Sequence, residues 1–325
     1  MKALVTGASG FTGGHLARFL RLAGDDVRVL VRTSEQAQTW GSAGFDVAMG
    51  DLTDERSLER AIEGTEVVYN IAALYREAGL ARARYHAVNA EAPAAIVRIA
   101  ARTGVRRVVH CSTVGVHGDV SGPPANEDAP IAPGDVYQET KVEGETASRR
   151  AADERNVDLV IVRPTGIYGP GDRRLFKLFG DIARGRFIML GQGRNYYHLT
   201  FIEDLAAGFR LAGTVPAARG RTYILGGGDV ATLAEIVSMT SALAGRGPRL
   251  RLPVWPVWLA GAVAELVAAP FGIEPPIYRR RVDFFRKSRA FDISRARQEL
   301  GYAPAVSMRD GIARTLEWYR ANGWI

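Results

Sequence analysis

Apolar residues recur along this chain with two alternating periods. Short apolar runs fall at 2–6, 27–31, 45–49, 66–71, 106–111 and 157–162, and each predicts a strand. Between them lie stretches with helical spacing. In 10–23, Leu16, Phe19, Leu20 and Ala23 share one side. A second helix is predicted over roughly 90–102, with Pro93 tolerated in its first turn, and a third over 134–155. Strands alternating with helices at this interval predict an α/β fold with a doubly wound parallel sheet. Beyond residue 172 the pattern changes. A segment at 196–226 reads as returning to the first unit, with a further strand in Gly213–Leu225. The remainder, 173–195 and 227–325, reads as a smaller, mostly helical region.

Residues 254–272 are nearly all apolar, interrupted by Pro256, Glu265 and Pro270. A membrane span needs about 20 apolar residues, so a buried or substrate-lining helix is the favoured reading. A membrane-surface helix beside Arg279, Arg280 and Arg281 is the alternative.

Composition narrows the class. The 325 residues are 47% hydrophobic and include 36 glycines, as expected of an α/β enzyme. The single cysteine, Cys111, excludes an internal disulfide and fits a reducing compartment. Met1 leads directly into the first apolar strand, without a signal-like layout, so a cytoplasmic location is expected. The net charge of +7 fits an anionic cofactor and substrate. No nucleic-acid motif accompanies it, and no metal site is expected.

The first strand and helix are joined by Thr6-Gly7-Ala8-Ser9-Gly10-Phe11-Thr12-Gly13. Gly7, Gly10 and Gly13 permit a tight turn, close backbone approach to a pyrophosphate and close helix–strand packing, and the helix N-terminus faces the phosphates. This predicts a dinucleotide site. An NAD-specific site carries an acid after the second strand; here that residue is Arg32, whose guanidinium suits a 2′-phosphate. NADP is therefore preferred, with NAD possible. Asp51, beside Leu52, could accept a hydrogen bond from the adenine amino group. Small Ala72 and Ala73 end the fourth strand where a cofactor could lie close.

The chemistry is sought in Tyr137-Gln138-Glu139-Thr140-Lys141. On a helix Tyr137 and Lys141 share a face, with about 6 Å between Cβ atoms. A nearby ammonium would lower the phenol pKa from about 10 towards neutrality and make Tyr137 a general acid/base. Thr113, after the fifth strand, could hydrogen-bond a substrate oxygen opposite it. The backbone of 163–172, including Pro164 and Ile167, could read the nicotinamide amide; Arg163 itself reads as structural.

Together T-G-x-x-G-F-x-G, G-D-L-x-D, S-T, Y-x-x-x-K and R-P-x-x-x-Y-G-P-G-D resemble the extended short-chain dehydrogenase/reductases, the NAD-dependent epimerase/dehydratase group. The resemblance covers nearly the whole chain. It implies a Rossmann domain over 1–172, rejoined by 196–226, and a substrate-binding region beyond. It implies Thr113, Tyr137 and Lys141 as the catalytic set, Lys141 on the nicotinamide ribose, and hydride transfer at a secondary alcohol or ketone carbon. It also implies a homodimer through the helices at 82–102 and 134–155. Family 4,6-dehydratases carry Asp-Glu after the catalytic Thr; Val114-Gly115 stand there, so that reaction is not expected. Many nucleotide-sugar epimerases have an arginine where Tyr197 stands. Candidate substrate contacts are Tyr75, Thr113, Arg194, Tyr197 and Arg281. The leading expectation is an epimerase or keto-reductase of a nucleotide-activated sugar. The alternative is an NADP-dependent reductase or dehydrogenase of a lipophilic substrate, since some segments are similar to dihydroflavonol-reductase and 3β-hydroxysteroid-dehydrogenase relatives. A non-catalytic NADP sensor would have no need of the catalytic set.

Overall fold

The apolar runs become the strands of one parallel sheet. The computed structural model describes residues 1–77, 79–120, 122–268 and 282–325. The strands are β1 (Lys2–Thr6), β2 (Asp26–Val31), β3 (Asp46–Met49), β4 (Val67–Asn70), β5 (Arg107–Cys111), β6 (Leu159–Pro164), β7 (Gly166–Tyr168), β8 (Ile188–Leu190), β9 (Tyr196–Phe201), β10 (Thr222–Leu225), β11 (Val230–Thr232) and β12 (Leu250–Leu252). Among the described residues, seven of them pair in the order β3-β2-β1-β4-β5-β6-β10. The order reverses direction between β1 and β4, so a ligand crevice is expected at the carboxyl ends of these two strands. Two smaller sheets, β7-β9-β11 and β8-β12, lie outside it.

The helices are α1 (Phe11–Leu22), α2 (Ser34–Ser42), α3 (Glu55–Ile62), α4 (Arg82–His86), α5 (Ala92–Thr103), α6 (Val136–Arg155), α7 (Phe176–Ala183), α8 (Ile202–Thr214), α9 (Leu233–Ala244), α10 (Val254–Ala268), α11 (Ser294–Leu300) and α12 (Met308–Ala321). Strand periodicity distributes the core between the two faces of the sheet. Ala3, Val5, Val67 and Tyr69 pack with Leu16 and Leu20 of α1 and with Leu205 and Phe209 of α8. Leu4 and Val68 point the other way, onto Leu58 of α3, Ile96 and Ile99 of α5, and Ala151 and Ala152 of α6. The doubly wound fold predicted from the pattern is the fold found.

Two expectations are corrected. The proposed strand Gly213–Leu225 is a strand only from Thr222; Gly213 still belongs to α8. Its side of the helix must be bare, because a Cβ there would lie 2.0 Å from the Tyr69 hydroxyl. The 254–272 segment does form a helix, α10, and its Trp258 lines a cleft, but its outer side is not buried. Trp255, Leu259 and Val263 are 71%, 52% and 54% exposed. Residues 269–272 and Arg281 lie outside the described residues. Among the described residues no helix is long and apolar enough to cross a membrane.

The helix predicted over 90–102 is longer at its start. It runs from α4 through a π turn, Ala87–Glu91, into α5. Pro93, which cannot donate to the carbonyl four residues back, follows that wider turn. Gly144 of α6 meets it there; a Cβ would sit 2.1 Å from the Asn89 carbonyl oxygen.

Candidate active site

A cleft of 2440 Å³ opens at the carboxyl ends of β1, β4, β5 and β6. Small-ligand pockets hold about 300–1,000 Å³, so this one has room for a dinucleotide and a second molecule. The glycine loop forms its floor. Gly7 has φ +71°, and a Cβ on it would lie 2.8 Å from the Ala72 backbone; one on Gly13 would lie 2.3 Å from the Gly7 carbonyl oxygen. Both positions are closed to side chains by backbone. The N-cap of α1 is Gly10, which offers no side-chain cap. The first-turn N–H groups, those of Phe11, Thr12 and Gly13, are therefore left for an anion. This arrangement fits a dinucleotide pyrophosphate.

The loop is held from below by polar residues that the sequence reading missed. Thr6 donates to the Asn70 side-chain oxygen at 2.8 Å and accepts from the N–H groups of Ile71 and Ala72 at 3.1 and 3.2 Å. Asn70 donates onward to His110 Nδ1 at 3.1 Å. Burial, with the Lys141 charge nearby, pushes the His110 pKa well down, so the imidazole is neutral. The available signal was a polar residue near the end of each of three apolar strands.

Arg32, Asp51, Leu52, Ala72, Ala73, Pro164 and Ile167 all line the cleft. The Arg32 guanidinium has no hydrogen bond or ion pair among the described residues, while its own N–H donates to Gln36. The Asp51 carboxylate accepts from the Thr53 N–H and hydroxyl at 2.9 and 2.6 Å. The N-cap of α3 is Asp54, whose side chain accepts from the Arg56 N–H.

Tyr137 stands in the first turn of α6, whose N-cap Asp135 accepts from the Gln138 N–H at 2.9 Å. Asp135 also pairs with Arg76 at 2.9 Å, and that guanidinium lies 5.5 Å from the Tyr137 ring centroid. The phenol packs edge-on against Tyr75, with centroids 4.9 Å apart. Its hydroxyl has no hydrogen-bond partner among the described residues. Thr113 accepts from the Gly115 N–H at 3.0 Å, so its own hydroxyl proton remains free to donate. Lys141 is buried, and its ammonium donates to the Cys111 carbonyl at 2.6 Å.

The electrostatics differ from the sequence expectation. Burial raises the Tyr137 pKa well above its usual value, Cys111 and Tyr75 add to the rise, and Arg76 and Arg174 oppose it. Burial outweighs the opposing charges, and it pulls the Lys141 pKa itself down. Burial also pushes the Cys111 thiol up to about 11. Tyr137 is therefore a protonated phenol, the form that holds the proton a reduction would use.

Behind the site, Arg163 is structural, as expected. It grips Glu145 of α6 through two bonds of 2.9 and 2.6 Å and donates to the Glu127 carbonyl and to His117 Nε2 at 3.0 and 3.1 Å. His117 Nδ1 faces the carbonyls of Ala129 and Pro130, so it carries the proton and Nε2 accepts. Asn89, also missed, ties Leu74 to Thr140 of α6 through bonds of 2.9, 3.0 and 3.2 Å. The one clue was a lone Asn in an apolar helix.

The substrate contacts separate. Tyr75, Thr113 and Tyr197 line the cleft, beside Trp258 of α10, Phe284 and Phe291. Arg194 lines a separate shallow depression with Gln192 and Ser288 and is not in this cleft. The reason is a long-range tie: Asn195, next to it, is pinned by bonds from its side chain to the Phe284 and Lys287 carbonyls.

A doubly wound sheet, a glycine-lined cradle at the switch point, and Thr113, Tyr137 and Lys141 at the carboxyl end of β5 define a nicotinamide-dependent enzyme of the extended short-chain dehydrogenase/reductase type. Comparison with known proteins makes this specific: the chain belongs to the NAD dependent epimerase/dehydratase family, whose profile matches residues 3–226. It is 32% identical to sterol demethylase protein B of Methylococcus capsulatus over 100% of both chains. Its structure matches that of gox2253 with a TM-score of 0.84 and 30% identity, covering 99% and 98% of the two chains. It also shares the fold of an NAD complex of UDP-glucuronic acid 4-epimerase from Bacillus cereus, with a TM-score of 0.79, 23% identity and 99% of each chain covered.

Proposed function

We propose that the protein is an NADP-dependent reductase or dehydrogenase acting at a ketone or secondary alcohol carbon of a lipophilic molecule. The observation that carries this reading is the group of aromatic side chains lining the cleft, Tyr197, Trp258, Phe284 and Phe291, which stand among Asp283, Arg286, Lys287 and Arg289. The Tyr197 hydroxyl is turned to the Phe284 carbonyl and the two rings lie 4.8 Å apart, so the position offers an aromatic face rather than a cation. A relative named sterol demethylase protein B supports the same class. In reduction, Thr113 donates a hydrogen bond to the substrate oxygen and Tyr137 delivers the proton to it. Lys141 restores positive charge beside the phenolate that remains. The cofactor, when bound, supplies the hydride. Arg32 would meet the 2′-phosphate.

The nucleotide-sugar reading keeps one specific support. The Arg289 guanidinium stands 5.9 Å from the Tyr197 ring centroid, lines the cleft, and has no ion pair among the described residues. It could face a diphosphate in place of the absent arginine. The homodimer is part of the proposal too, with the run from α4 through α5 and helix α6 as its interface; a monomer mass in light scattering would remove it.

Cofactor affinities and a substrate panel test the reading. The expected result is exchangeable NADP, bound at least about tenfold (~1.4 kcal/mol) tighter than NAD, with NADPH consumed by sterol-like or long-chain ketones. Retained NAD and interconversion of nucleotide sugars without net redox change would overturn it and leave an epimerase.

A further inference from the structure

The exposed face of α10 is unusual for a helix on a protein surface. Such helices normally turn charged or polar residues to water. Residues 254–264 contain no charged residue, and Trp255, Leu259 and Val263, spaced four apart, stand on the outer side. Gly261 is on the buried side. The strand that leads into the helix adds Leu250 and Leu252, 49% and 36% exposed, and Leu250 pairs in register with exposed Ile188. The approach to this face is basic, and Glu265 is the one acid in the sequence of α10. Residues 236–264 contain Arg246, Arg249 and Arg251 and no acid; all three arginines are exposed and have no ion pair among the described residues.

We infer that this face of α10, with the arginines that precede it, docks on an anionic lipid bilayer. Apolar side chains on one side of a helix, a tryptophan in its first turn and adjacent unpaired arginines are what an interfacial helix requires: the apolar groups enter the headgroup boundary and the cations meet lipid phosphates. A second protein copy would be served by the apolar face but gains nothing from three unpaired arginines of the same sign, so charge complementarity selects the bilayer. The same helix turns Trp258 into the catalytic cleft, where Arg286 stands 5.6 Å from its ring centroid. Docking therefore sets a wall of the cleft beside the lipid. The inference goes beyond the proposed substrate class and does not depend on it, since bilayer binding needs no substrate.

Flotation with vesicles of phosphatidylcholine alone, or mixed with phosphatidylglycerol, tests it. The purified full chain is expected to float with the anionic vesicles and not with the neutral ones, and to be released by high salt. Trp255→Ser with Leu259→Ser, and separately Arg249→Glu with Arg251→Glu, should each lower partitioning at least about tenfold. NADP affinity and circular dichroism should be unchanged in both; the second pair keeps the test open if the first fails to fold. A wild-type chain that stays unbound at low salt overturns the inference, as does undiminished flotation of either folded variant. A wild-type dimer that Trp255→Ser converts to monomer would also overturn it and assign the face to a second copy.

Discussion

Arg163 and Glu145 show how much of the catalytic geometry rests on a buried pair. Both side chains are 7% exposed, and every donor and acceptor between them is aligned. Burial alone would raise the Glu145 pKa, but the two-bond contact with Arg163 holds it below the usual carboxylate range. Glu145 is one turn beyond Lys141, so the pair fixes the rotation of α6 about its axis. Removing one partner leaves a buried charge unmatched, at a cost of about 3–5 kcal/mol. Glu145→Ala should lower stability by that amount in urea unfolding, and a loss under about 1 kcal/mol would mean that water or another group replaces the carboxylate. At this scale the sequence was informative about residue types and poor about their environment. Tyr137 and Lys141 were recognised from spacing. The sign of the Tyr137 shift was not, because it depends on burial by Tyr75 and the neighbouring loop, which spacing does not encode.

The elements divide the same way. The glycine loop was legible because its function is carried by backbone, and backbone demands glycine at fixed intervals. Gly13 shows the constraint: its Cβ would strike main-chain atoms of Gly7 at 2.3 and 2.6 Å, and no flexible side chain is there to yield. Gly10 is looser, with 3.2 Å to the Gly7 oxygen. Gly13→Ala should therefore weaken NADP binding at least about tenfold (~1.4 kcal/mol), and Gly10→Ala should weaken it less, as read by cofactor fluorescence titration. Equal effects would show that loop flexibility, not the clash, decides. The π turn at Ala87–Glu91 and the outward face of α10 were not legible. The first is set by Gly144 packing on Asn89. The second depends on which face meets the core, and an apolar residue on every side of a helix conceals that.

The whole molecule carries several phenols deep in its core. Burial is the leading cause in each case that raises Tyr69, Tyr168, Tyr197, Tyr302 and Tyr319 above the ordinary value. An unfolded phenol ionises near about 10. Above that pH the unfolded chain binds fewer protons than the folded one, so stability falls as pH rises; below it the contribution is fully present. Alkaline titration should show the phenolate absorbance of these buried tyrosines rising only together with loss of circular dichroism, beyond that of exposed tyrosines such as Tyr75 and Tyr196. Phenols beyond those exposed ones that ionise near their ordinary value in a chain that keeps its dichroism would contradict the buried placement. The doubly wound order followed from alternating strands and helices. The separation of Arg194 from the cleft did not, because it depends on contacts between 195 and 284–287 that are distant in the chain.

The central claim is that Tyr137 moves a proton in a hydride-transfer reaction. It is tested most directly by comparing Tyr137→Phe with wild type in NADP affinity and in turnover of a ketone that the wild type reduces. The expected result is affinity within a few-fold of wild type and turnover reduced by about 10²–10⁴. Turnover that survives the substitution unchanged would contradict the account and return the site to a binding role.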